Sequence, residues 1–546
     1  MAIGPVQSPT IDAQLIDSIG SAVSSGDLRR AFHLANMALQ RGVMHRVVFN
    51  AKGLAFQASG EHERAVEEFR RALALTPRDP TLLNAIALSL ITLERYPEAL
   101  QMLDTAIAVE PDRAYSHYRR GMAFAVSGDT AAAQAAYHRA VELDPNHAAA
   151  IASLASIAAR KNDVVTARSL ANRALALVRD EPTALTALAI ADSVEGNFAE
   201  AEHRLRGLLT SRALNPSARA GILALLGDAL DGQQRYAEAF AVYKAENQEL
   251  RQRHAHRFTE QRGSDALRHI ITYFESVRGA WGSYDDGGAV PGGPKEHVFL
   301  LGFMRSGTTL LEQVLGSNPE VLALEEKGTL NEIARPYMTS NEGLDELSRL
   351  DGAALDRDRK RYWDFVLKHE PNLKGKVFVD KQPLNTIKLP VIAKLFPRAK
   401  ILFALRDPRD VVFSCFRRHF RVNVTMFEFL ELQDAAQFYA SVMRLAELCR
   451  AKLPLNLLEH RYEAMVEDFD GRVKAVCEFI GVEWADTMRD FNKIAPAVDL
   501  RSPSATQVRK PLYGEAIGQW RKYKDQLAPM MPILQRWVEK FGYPPN

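Results

Sequence analysis

The sequence predicts a multidomain chain in which an all-α solenoid of repeated helix pairs is followed by an α/β domain with a mostly parallel sheet. Two observations carry this. Small residues recur every 34 positions through the first half, and short apolar strand-like runs alternating with helical patterns appear only after about residue 296. At 546 residues, a prior of about 150 residues per domain adds that two to four units are expected.

In the first half, Ala31, Ala65, Ala99, Ala133, Ala167 and Ala201 keep a 34-residue period, and Pro77, Pro111 and Pro145 keep the same one. Gly53 and Gly121, with Ala87, Ala155 and Ala189 in equivalent places, stand twelve residues before an alanine of that series. A small residue at that spacing lets two antiparallel helices approach closely, and the proline separates one pair from the next. The pattern resembles the tetratricopeptide repeat. Six repeats are in phase, and a seventh around Gly227 and Ala239 follows a short insertion, so the solenoid is expected over about residues 14–250. The resemblance implies a concave groove that binds a peptide or protein segment; a scaffolding or dimerising solenoid is the alternative.

Residues 251–295 read as a seam, a charged helix, a second amphipathic helix and the Gly/Pro stretch "GGAVPGGPKE". From 296 to 546 the runs "HVFLL", "KVFVD", "KILFALR" and "NLLEHRY" predict parallel strands covered by helices. In such sheets ligands bind beyond the carboxyl ends of the strands.

The 69 Lys+Arg nearly balance 67 Asp+Glu, so no bulk attraction to nucleic acid or anionic lipid is implied, and any anion site must be local. Cys415, Cys449 and Cys477 lack metal-ligand spacing and read as buried thiols of a disulfide-free protein. With no basic-then-apolar leader at the start and no uncharged apolar run of about 18 residues, a soluble cytoplasmic protein without a membrane span is expected.

The first strand runs into "GFMRSGTT", where Gly302 and Gly307 bound a turn that opens a helix near Thr308. Backbone N–H groups, a helix N-terminus, Arg305, Ser306, Thr308 and Thr309 together suit a multiply charged anion. The lysine that follows the second glycine of a triphosphate-binding loop is absent, as is an evident Walker-B aspartate. A second anion site is predicted after "KILFAL", where Arg406 ends the strand and Ser414 and Arg418 follow eight and twelve residues on. Ser414 and Arg418, at i and i+4, share a helix face.

Two phosphate sites without the loop lysine resemble the sulfotransferases that use 3′-phosphoadenosine 5′-phosphosulfate (PAPS), above all the protein-tyrosine sulfotransferase branch and its bacterial relatives with appended repeats. The resemblance runs from His297 to the end of the chain. It implies that Arg305, Ser306, Gly307, Thr308 and Thr309 hold the 5′-phosphosulfate, and that Arg406, Ser414 and Arg418 hold the 3′-phosphate, with Tyr462 also against the nucleotide. By the same resemblance Glu326 is the catalytic base, Glu325 its alternative, and Lys381 with Ser504 stabilises the leaving 3′-phosphoadenosine 5′-phosphate (PAP). The implied reaction is in-line transfer to a hydroxyl, a peptide tyrosine being one candidate, without metal or covalent intermediate. Two departures stand out. Gly328 occupies the place of an Arg that helps hold the family's glutamate and acceptor, and Gln519 stands where a Lys precedes Trp520, leaving Arg521, Lys522 and Arg509 as candidate substitutes. The competing readings are a non-catalytic repeat protein with a degenerate transferase domain and a P-loop kinase.

Overall fold

The structure, a computed structural model, describes residues 9–211, 214, 216–258, 262–285, 293–494 and 514–545. The chain divides into two compact units between Arg204 and Leu205. The first is all-α and runs as antiparallel pairs from Pro9–Ser24 to Phe198–Thr210. All six alanines of the 34-residue series are completely buried, and Pro77, Pro111 and Pro145 lie in the turns between pairs, as a solenoid requires. Several helices start on a side-chain cap, as where Asp129 accepts from the Ala132 N–H at 3.0 Å.

The small residue of each repeat is set by what faces it sixteen positions on. A Cβ at Gly121 would come within 2.5 Å of the Tyr137 ring, which is itself buried. Where the small residue is Ala87 or Ala155, the residue in the equivalent place is Leu103 or Ala171, and each pair sits in one apolar cluster. Replacing Gly121 by Ala is therefore expected to destabilise the first unit. Overpacking of about 1–3 kcal/mol exceeds the roughly 1 kcal/mol that Ala gains over Gly in a helix. The Gly121→Ala, Tyr137→Leu double variant should recover the melting temperature, and a single variant melting at or above wild type would refute the packing argument.

The second unit contains a helical hairpin, Pro216–Gly232 and Tyr236–Phe258, the helix Gly263–Ser276, and a five-stranded sheet. The strands are β1 (Glu296–Gly302), β2 (Val321–Glu325), β3 (Val377–Lys381), β4 (Lys400–Leu405) and β5 (Asn456–Arg461). All neighbours are parallel, in the order β2-β3-β1-β4-β5. β1 thus lies at the centre, and the chain crosses over to opposite sides of it, which opens a crevice beyond the carboxyl ends of β1, β3 and β4. β2 is the strand the sequence pattern did not separate, because "VLALE" is short and runs directly into carboxylates. Burial of Val298, Leu300, Val379 and Leu402 against the helix Thr308–Gly316 forms the core on one face.

The hairpin is built into this unit. Asn247 donates to the Phe416 carbonyl at 2.8 Å in a buried contact, Phe240 stacks on Phe416, and Arg262 and the Ser264 N–H both bind Glu428. No helix among the described residues is long and apolar enough to cross a membrane.

Candidate active site

The loop between β1 and the helix Thr308–Gly316 has a fixed shape. A Cβ on Gly302 would lie 2.5 Å from the Ala404 carbonyl of β4, and one on Gly307 would lie 2.6 Å from the Tyr462 ring. Glycine is thus what lets β4 and Tyr462 close on the loop. Thr386, completely buried, ties the loop down: its hydroxyl accepts from the Gly302 N–H at 3.0 Å and lies 2.7 Å from the Gly302 carbonyl. From residue 293 on, Arg305 and Glu326 are the only non-glycine residues with left-handed backbone among the described ones, at φ of 67° and 42°. Such strain persists where surrounding structure over-determines it, and here it falls just past the carboxyl ends of β1 and β2.

The two predicted anion sites meet. Arg305 Nε donates to Ser414 Oγ at 3.0 Å, and Arg406 Nη1 donates to the Arg305 carbonyl at 3.0 Å, with its guanidinium 5.1 Å from the centre of the Tyr462 ring. Ser306, Thr308 and Thr309 are buried at the opening of the helix. Burial, then the fields of Arg418 and Arg406, push Arg305 down to about 9. Crowded cations that depress one another are an environment that suits an anion. The Nε atoms of Arg406, Arg417 and Arg418 are buried without a hydrogen-bond partner. Cys415 between them is pushed up to about 12 by burial, so it stays a thiol.

Arg418 differs from expectation in one respect. The helix Pro408–Phe416 carries Ser414 but stops two residues short of Arg418, and Asn247 of the hairpin satisfies the Phe416 carbonyl left over at its end. Arg418 then lies 3.7 Å from Asp228 of the same hairpin, and Arg417 lies 3.8 Å from Asp231. The hairpin therefore orients the arginines of this site, a connection that no local motif signals.

The third cluster sits at the ends of β2 and β3. Lys381 is completely buried, pairs in register with Glu325 of β2, and has three carboxylates around its Nζ: Glu326 at 2.8 Å, Glu312 at 3.1 Å and Glu325 at 3.4 Å. Burial opposes its charge, yet Glu312, Glu326 and Glu325 outweigh that and hold Lys381 above the ordinary lysine range. Glu326 also donates its N–H to the Lys381 carbonyl at 2.9 Å, continuing the ladder past the strand. On the opposite face of β3, Asp380 receives the hydroxyls of Thr329 at 2.6 Å and Tyr362 at 2.7 Å, and His297 Nε2 lies 2.8 Å from that tyrosine oxygen. The Asp380 bond to Thr329, three residues past Glu326, pins the loop that carries the glutamate.

Gly328 has left-handed backbone at φ 66°, and a Cβ there would lie 2.5 Å from the Asn331 amide. An arginine at 328 would be strained at this φ and would have to displace the Asn331 side chain, so glycine suits this turn. Near the C-terminus, Trp520 donates its N–H to Asp410 at 2.9 Å and stacks under Arg409 at 3.9 Å, while Arg521 covers Trp520 and Lys522 covers Tyr236. Ser504 and Arg509 lie outside the described residues.

The chain thus joins a helical repeat array to a parallel sheet of P-loop-like form whose strand ends carry a lysine-free glycine loop, a pair of neighbouring arginines and a Lys–Glu cluster. Comparison with known proteins agrees: residues 297–486 match the sulfotransferase family, and residues 50–112 and 114–147 match tetratricopeptide repeats. The chain thus carries a sulfotransferase-family domain behind tetratricopeptide repeats. An uncharacterized protein of Aquifex aeolicus is 27% identical over 358 residues, which cover 62% of this chain and 44% of that relative. Protein-tyrosine sulfotransferase 1 of Danio rerio is 27% identical over 271 residues, covering 46% of this chain and 72% of the relative. Protein-tyrosine sulfotransferase A of Caenorhabditis elegans is 24% identical over 263 residues, 46% and 67% of the two chains. Among solved structures, a tetratricopeptide repeat protein from Parabacteroides merdae is 16% identical with a TM-score of 0.36, covering 44% of this chain and 93% of that one.

Proposed function

We propose that the chain moves a sulfuryl group from PAPS to an acceptor hydroxyl and releases PAP, in the cytoplasm, where its three buried thiols stay reduced. The observation that carries this reading is the direct link of the two anion sites through Arg305, Ser414 and Arg406. One nucleoside with phosphate at both ends requires that adjacency. The orphaned guanidinium nitrogens fit such a ligand, and the missing loop lysine disfavours a metal-bound triphosphate.

The donor supplies an activated sulfuryl group whose departure leaves charge on the 5′-phosphate. Arg305, Ser306, Gly307, Thr308 and Thr309 would hold that end, and Arg406, Ser414 and Arg418 the 3′-phosphate beside Tyr462. Lys381 would face the developing charge with Ser504, a stabilisation that works best in a buried site. Glu326, the most exposed of the three carboxylates around Lys381, would turn from the ammonium to the acceptor and take its proton. The names of the curated relatives suggest a peptide tyrosine as acceptor, and the repeats suggest that a peptide or protein is held by their groove.

Calorimetric titration of the full chain tests the reading. PAP is expected to bind at least about a hundredfold tighter than ATP with Mg²⁺, a gap of ~2.7 kcal/mol. ATP binding more tightly would favour the kinase reading. Tight PAP binding with no transfer to any acceptor in a lysate supplied with labelled donor would favour a non-catalytic repeat protein.

A further inference from the structure

We infer that Glu312 is a positioning residue, the permanent counter-ion that keeps Lys381 charged and aimed while Glu326 works on the acceptor. The inference rests on the sulfuryl-transfer reading.

The three carboxylates around Lys381 are not equivalent. Glu325 and Glu326 close β2 and its loop, with side chains 17% and 36% exposed, whereas Glu312 lies on the helix Thr308–Gly316 and is 2% exposed. It stands one helical turn after Thr308, on the face of the helix that meets the sheet, so the loop anion and the Lys381 ammonium are registered to one rigid element. In the free protein Glu326 accepts a hydrogen bond from the ammonium at 2.8 Å. Glu312 Oε2 forms an ion pair with the same nitrogen at 3.1 Å.

That arrangement has a consequence for the reaction. When Glu326 swings to the acceptor and takes its proton, Lys381 loses its nearest partner and much of the negative charge around it. A completely buried ammonium left in that state would be driven towards the neutral amine by burial. Glu312 cannot leave, because its helix is anchored by the loop. Burial, with Glu325 and Glu326 adding repulsion against the pull of Lys381, pushes Glu312 up to about 8 in the resting protein. When the Glu326 charge is lost, Glu312 is the fully buried carboxylate that stays beside the Lys381 ammonium.

The test needs no acceptor. The full chain is prepared with lysine labelled with carbon-13 at Cε, and the Lys381 resonance is assigned by its absence from Lys381→Arg. In Glu312→Gln the Lys381 midpoint should fall by at least about one pH unit, a tenfold easier deprotonation, while PAP affinity at pH 7 stays within about threefold. Glu312→Asp keeps the charge and should leave the midpoint in place. A Gln variant with the wild-type midpoint, or an Asp variant displaced as far as Gln, overturns the proposal. Should the Gln variant not fold, the Asp variant decides alone: an unmoved midpoint supports, a displaced one overturns. Failure of the wild-type chain to bind PAP would sink the sulfuryl-transfer reading instead, and the titration comparison would still report on Glu312.

Discussion

Lys381→Met is expected to lower sulfuryl transfer from PAPS by about 10²–10³-fold, ~3–4 kcal/mol, the usual cost of losing one preorganised donor at a developing charge. The loss should fall on kcat, because Lys381 is proposed to act where charge appears in the transition state rather than on the bound donor. PAP released from labelled donor in the presence of an acceptor is the measurement. A variant that loses affinity but keeps kcat would place Lys381 in ground-state binding and remove it from the leaving-group role.

The same substitution carries a pH signature in stability. Removing the ammonium leaves Glu312 buried without its partner, and breaking such a pair typically costs about 3–5 kcal/mol when the remaining charge stays. Glu312 can escape by taking a proton. Its folded value of about 8 lies above the ordinary 4.5, so its contribution is fully present below about 4.5 and is lost as pH rises towards 8. Without Lys381 the folded value moves higher still, which extends the loss. The deficit in melting temperature of Lys381→Met relative to wild type should therefore be larger at pH 8 than at pH 5.5. An equal deficit at both would mean that the carboxylate cluster is not organised by this lysine.

Features held by a short stretch of chain were legible in the sequence. The loop from Gly302 to Thr309 is one turn between a strand and a helix, and its residues could be read directly. The alanine and glycine series was legible because each repeat imposes the same helix–helix distance. What escaped reading depends on partners far apart in the chain. Glu312 sits among "LLEQVLG", where a lone carboxylate in a helix reads as a surface residue; only the crossover that brings β3 beside β1 buries it against Lys381. Asp380, Tyr362 and His297 form one hydrogen-bonded chain from three separate elements. The carbonyl at the end of the helix before Arg418 is satisfied by Asn247, 169 residues away from Phe416. Spacing predicts which face a residue occupies, whereas these contacts are set by sheet order and by the docking of the hairpin.

Arg406→Lys is expected to weaken PAP binding by at least about a hundredfold, ~2.7 kcal/mol, although the formal charge is unchanged. Arg406 uses its fork in three directions: one nitrogen holds the Arg305 carbonyl, another reaches the Ala516 carbonyl, and the plane lies over Tyr462. A lysine presents a single point charge and can satisfy one of these at most. The first loss matters most, because the Arg305 backbone is held in a left-handed conformation that the Arg406 bond helps to maintain. With that bond gone, Arg305 can relax, and the two anion sites lose their common hinge at Ser414. The effect should therefore exceed that of Tyr462→Leu, which removes the ring that faces the Arg406 guanidinium. Titration of both variants with PAP separates the cases: wild-type affinity in Arg406→Lys would mean that Arg406 contributes charge alone, a loss no larger than that of Tyr462→Leu would leave the ring contact as its main role, and a markedly larger loss would support the reading that its geometry assembles the nucleotide site.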